Sequence, residues 1–177
     1  PISIEERLAD NAESIMQTVV ELEKKTLFGY QWNSFYKASI IKENNIRFED
    51  SLFYEDYFFN LDFAKKMQSI AVLNHNGYHY FKRVNGSITN RFSKDYYDLS
   101  YRRIESMLDF CEDRGYLNKE VYSVLGNRFL RYTLSALSRN NNPSAEMDSK
   151  KRKEWIKEAY KKPLYQKYQH KRTYVAG

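Results

Sequence analysis

"LFYEDYFFNLDF", residues 52–63, sets two adjacent carboxylates, Glu55 and Asp56, inside a run dense in aromatic side chains. Carboxylates are costly to bury without partners, whereas aromatic rings supply much of the apolar area a core needs. Either the acids point away from the rings into water, or they line a cleft in which a carboxylate has a chemical task. Helical spacing predicts one helix over about 51–67, capped by Asp50 or Ser51, with Phe53, Tyr57, Leu61 and Ala64 as its buried row. Asp56 then lies about 100° round the helix from that row, and Glu55 farther still. Both acids sit where a helix N-terminus favours negative charge.

Upstream, Ser3 with Glu6 matches a capping box, and Ile4, Leu8, Ile15, Val19 and Leu22 recur at helical spacing, predicting a first helix to about Lys25. A linker around Phe28 to Asn33 hinges at Gly29. KASIIKENN, residues 37–45, reads as a short helix ended by its Asn pair. Downstream, SIAVLNH (69–75) and YHYFKR (78–83) read as strands joined at the turn signal Asn76-Gly77, hence a small β-hairpin. VNGSITNRFS, residues 84–93, is polar and reads as a loop. Three helical stretches follow, 95–114, 118–139 and 148–161, punctuated by Asn140 to Pro143 and by Pro163. The expected fold class is α+β and predominantly helical, with a small β-hairpin and a C-terminal helical bundle. A lone two-stranded sheet is marginal by itself, so the chain is expected to be part of something larger.

Composition narrows the function classes. The 177 residues are 42% hydrophobic and 29% charged, which suits a soluble, globular chain. No apolar run approaches the ~20 residues of a membrane span, and PISIEERLAD does not resemble a signal peptide. The single cysteine, Cys111, excludes an internal disulfide framework and a multi-cysteine zinc site, and it favours a reducing compartment. With no His nearby in sequence to act as its base, it offers no evident nucleophile. Residues 150–172 hold ten Lys/Arg against two Glu, so this tail outweighs the net charge of +6 and leaves the rest slightly acidic. Such a tail suits an anionic membrane surface, a nucleic acid or plain solvent. A nucleic-acid reading would use the interleaved Trp155, Tyr160, Tyr165 and Tyr168 as stacking platforms.

The order WNSFYKASIIKENNIRFED, FYEDYFFNLDF, YHYFKRVNGSITN resembles the C-terminal half of family 2 glycosyltransferases, the GT-A-fold enzymes that build bacterial surface polysaccharides. In that family a "WNKLYK" segment precedes an "ED" motif opening a helix, and a strand reading like "YHYR" leads into "SIT". The resemblance covers residues 28–93. Residues 1–93 are then the acceptor-side region of a GT-A-type α/β enzyme, and 94–177 its variable helical region. Ser34 and Phe35 depart from the family's Lys-Leu. The sequence holds no Asp-x-Asp metal motif and no opening βαβ pattern, so the nucleotide-binding half is expected to lie outside this chain.

The resemblance implies an inverting transfer from a nucleotide-sugar donor to a polysaccharide or lipid-linked acceptor. Such a reaction needs a base for the acceptor hydroxyl and positive charge at the departing diphosphate. It makes Asp56 the catalytic base, with Glu55 binding an acceptor hydroxyl or backbone. Arg83 and Ser87, with Thr89, become the diphosphate contacts, while Trp32 and Asn33 shape the acceptor pocket. His79 is a candidate ligand for the divalent metal, Mn or Mg, of the full-length enzyme, and no metal is expected on this chain alone. The implied location is the cytoplasmic face of the membrane, with peripheral contact through the basic tail. The alternative is a basic helical binding module for nucleic acid or an anionic membrane surface, without catalysis.

Overall fold

In the computed structural model, which describes residues 3–51, 53–75, 77–78, 81 and 92–169, Asn11 rather than Ser3 starts the first helix. Its side chain accepts from the backbone N–H of Ser14 at 3.0 Å, and the Ser14 hydroxyl closes the capping box. Helix α1 (Ala12–Lys24) buries Ile15, Met16, Val19 and Val20. Ahead of it, strand β1 (Arg7–Ala9) pairs antiparallel with β2 (Ile70–Val72), Leu8 opposite Ala71.

This corrects two sequence expectations. A helix from residue 3 would put Leu8 on the buried row with Ile15 and Val19; in the strand Leu8 is 69% exposed while Ala9 is buried. The backbone groups of residues 7–9 find their partners on β2, and Arg7 pairs with Glu21 of α1. The second correction concerns the hairpin: the strand expected near 69–75 exists, but its partner is β1. Of the other expected strand, residues 78 and 81 lie outside any strand, and the rest falls outside the described residues, as do 84–91 of the loop.

Helix α2 (Ala38–Glu43) ends as its sequence predicts, with Asn45 at φ 48°, a left-handed conformation that asparagine tolerates well. Helix α3 (Glu55–Ala64) begins later than expected. Tyr54, at φ 68°, precedes it in the left-handed region, and the Ser51 hydroxyl bonds the carbonyl of Phe53 (2.8 Å) instead of capping. Phe53, Tyr57, Leu61 and Ala64 are all buried, as the spacing implies. Phe58, Phe59 and Asn60 are buried too, so α3 is enclosed around most of its circumference.

Helix α4 (Tyr96–Asp113) is followed by α5 (Lys119–Arg139), a 3-10 turn at Pro143–Ala145, α6 (Ser149–Lys161) and α7 (Pro163–Gln169). The first three of these helices match their predicted stretches. Helix α7 does not: Pro163 was expected as a stop, yet its fixed φ and missing N–H suit the first position of a new helix. The chain is thus predominantly helical, with a small two-stranded antiparallel sheet.

These elements fall into two compact units. One comprises Pro1–Ile88 with Asp109–Tyr116, the other Thr89–Leu108 with Leu117–Gly177. In the first, the end of α4 contributes buried Phe110 and Cys111, and Arg114 donates to the carbonyl of Lys65 at 2.6 Å. In the second, rings pack on rings: Tyr97 meets Trp155 edge-on at 5.0 Å, and Phe129 stacks on Tyr168 at 5.9 Å.

Candidate active site

Glu55 and Asp56 occupy the first turn of α3, and both are half-buried. Burial raises the pKa of Asp56 above its ordinary value, the Glu55 charge beside it adds to the rise, and the backbone of Gln31 acts in the opposite direction. The acids therefore neither escape fully into water nor sit in a fully apolar core. They occupy the boundary between the two.

What holds this boundary is Asn60, one helical turn beyond Asp56 and only 6% exposed. Its Oδ1 accepts from Gln31 Nε2 (2.7 Å) and from the Tyr36 hydroxyl (2.7 Å), and its Nδ2 donates to the carbonyl of Phe28 at 2.6 Å. Gln31 Nε2 also lies 3.3 Å from the carbonyl oxygen of Asp56. One buried amide thus ties residues 28–36 onto the helix that carries the acid pair. Tyr36 lies edge-on to Phe59 and Phe63, at 5.5 and 5.1 Å. Burial raises its hydroxyl pKa, and the Asp56 charge adds to this against the lowering effect of Ser34 and Asn60.

Beside this network, Tyr30, Trp32 and Tyr78 form a three-ring stack with centroid separations of 5.1 and 5.0 Å, all partly exposed. Trp32 therefore does belong to the segment tied to α3. Asn33 is committed to its own turn: its Nδ2 donates to the carbonyl of Leu27 (2.9 Å), and its Oδ1 accepts from the Ser34 hydroxyl at 2.9 Å.

Arg83, Ser87, Thr89 and His79 lie outside the described residues. Among the described residues, no group of three His, Cys, Asp or Glu is placed to hold a metal, and no helix is long and apolar enough to cross a membrane. Cys111 is buried, and burial with the nearby Glu23 pushes its thiol up to about 12, so it stays protonated and unreactive near neutrality.

Sequence reasoning passed over Gln31, Tyr36 and Asn60. One signal for Asn60 was present: four residues after Asp56, it had to lie on the same helical face. Chemically, the site offers an ionisable carboxylate of raised proton affinity, a hydroxyl beside it, and flat rings flanked by amides. No family model, no curated protein and no solved structure matches this chain.

Proposed function

We propose that the chain is the C-terminal, acceptor-side portion of an inverting, family-2-like glycosyltransferase, acting at the cytoplasmic face of a membrane on a polysaccharide or lipid-linked acceptor. The observation that carries this is the setting of Asp56. The family motif order assigns it the base role, and its partly desolvated position beside Glu55 raises its proton affinity. A base works best when its pKa is brought towards the operating pH, so the shift is in the useful direction.

In the reaction, an acceptor hydroxyl oxygen attacks the anomeric carbon as the bond from that carbon to the nucleotide diphosphate breaks. The hydroxyl proton passes to the Asp56 carboxylate, and the electron pair leaves with the diphosphate. On this reading Glu55 orients the acceptor, with the Tyr36 hydroxyl, whose proton goes to Asn60, able only to accept from it. The exposed faces of the Tyr30–Trp32–Tyr78 stack suit the apolar side of a sugar ring. Arg83 and Ser87, with Thr89, are assigned to the diphosphate by resemblance alone. The divalent ion of such an enzyme belongs with the nucleotide-binding half, with His79 as the one candidate ligand from this chain.

In a full-length enzyme with folding checked by circular dichroism, Asp56→Asn is expected to lower turnover by about two to four orders of magnitude in a nucleotide-release assay. Glu55→Gln costs less, because it loses a positioning contact and not the proton acceptor. A folded Asp56→Asn enzyme with near-normal turnover removes Asp56 as the base.

A further inference from the structure

We propose that the outer face of α6 is a docking surface for an anionic lipid bilayer, carried by Lys150, Lys153, Lys157 and Lys161. At 100° per residue these four fall within about 80° of one another and form a row about 16 Å long. All four are exposed, while Ala159 on the opposite face is buried. Among the described residues Lys150, Lys153 and Lys157 make no ion pair, and Lys161 pairs only with Glu158, at 2.7 Å. Glu154 is the one other carboxylate on this helix.

The neighbouring cations are used differently. Lys151 donates to the carbonyl of Glu146 (3.2 Å), Arg152 to the side chain of Asn141, and Lys162 to Asp98. Those three fasten the unit together, whereas the outer row fastens nothing. Its first member, Lys150, also works against its own helix, whereas Lys161 in the last turn suits the dipole. The first turn of α6 contains no acid, and cations there oppose the helix dipole. Only the cap Asp148 offsets this, its pKa lowered chiefly by its bond from the Lys151 backbone.

Charge complementarity points to a polyanion, and the rings decide which one. Single-stranded nucleic acid would need aromatic faces on which bases stack. Trp155 is packed against Tyr97 and Tyr168 against Phe129, while Tyr160 meets Tyr165 edge-on at 4.3 Å and is 48% exposed. What remains outward is a line of point charges with the single ring of Tyr160 at its edge, too little for successive bases to stack on. An anionic leaflet needs only the charges and accommodates one tyrosine at its headgroups. Each lysine near such a leaflet contributes roughly fivefold in affinity.

The test is co-sedimentation of the 177-residue chain with vesicles of phosphatidylcholine alone or mixed with phosphatidylglycerol, folding being checked by circular dichroism. The wild-type chain should bind the mixed vesicles, and less as salt rises. The triple variant Lys150→Gln, Lys153→Gln, Lys157→Gln should lose about 100-fold in partitioning. A matched triple on exposed lysines elsewhere, Lys37→Gln, Lys42→Gln, Lys66→Gln, should lose less than about threefold if proximity decides. Equal losses in the two triples would overturn the proposal, leaving only net charge. So would equal binding to neutral vesicles, or tighter binding to a single-stranded oligonucleotide that the α6 triple abolishes.

Discussion

Around α3, buried rings share the interior with amides and carboxylates; around α5, rings pack on one another and on cations. Asn60, Tyr36 and Gln31 form a bonded network among Phe28, Phe59 and Phe63, with Asp56 at its edge. In the other unit, Arg139 lies 4.2 Å over the ring of Tyr96, and Lys162 lies 5.1 and 4.8 Å over Tyr97 and Tyr101. Burial there pushes the Tyr97 hydroxyl up to about 12, with the Thr133 side chain opposing, so that tyrosine has no acid-base role near neutrality. Aromatic wealth is common to both regions and distinguishes neither. The polar groups the rings enclose make the difference.

The largest effect expected from that contrast is at Asn60. Asn60→Ala strands the carbonyl of Phe28 and the donors of Gln31 and Tyr36, and should lower stability by about 2–4 kcal/mol in urea denaturation. Tyr97→Phe, which removes one buried hydroxyl from the ring-packed unit, should cost about 1 kcal/mol or less. Equal losses would erase the distinction between the two interiors.

A smaller effect concerns charge. Because its folded pKa is raised above the ordinary 3.8, Asp56 contributes stability that is full below that value and is lost as pH rises through the folded one. Asp56→Asn removes this loss and should melt higher than wild type near pH 7 but not near pH 3. A variant that melts lower near neutrality would show that the carboxylate is held by favourable contacts. Glu55→Gln removes the like charge, so the Asp56 pKa falls, and under the proposed base role the acid limb of a full-length enzyme's rate profile should move to lower pH. An unmoved limb would detach Asp56 from that profile.

Smallest is Gly126→Ala in α5. A Cβ there would lie 2.7 and 2.9 Å from carbons of the Tyr168 ring. The helix gains about 1 kcal/mol in propensity, and the displaced ring loses a comparable amount of packing. Net stability should barely change while amide exchange in α7 quickens. Unaltered exchange would mean that the ring moves without loosening its helix.

How far the sequence reaches is clearest at the places where it misleads. Ile4 and Leu8 fit a helical row as well as Ile15 and Val19 do, and only the nonlocal partner β2 decides otherwise. Asn76-Gly77 offers a local turn signal, while the actual pairing to residues 7–9 leaves no local trace. The buried row of α3 was legible because its spacing is strict. Its start was not, since nothing in the composition marks Tyr54 for a left-handed conformation. Asp56 stood out through its neighbours, whereas a mid-helix asparagine such as Asn60 has no signature beyond its position.

The sheet has a kinetic side as well. Joining β1 to β2 closes a loop of about 60 residues, whose entropy must be given up before any ladder bond forms. Helices α1, α2 and α3 lie within that loop and need only local contacts to begin, so they are set to precede the sheet during folding. On this order the clasp between residues 7–9 and 70–72 closes last and opens first, and in amide exchange its protection should vanish before that of α3.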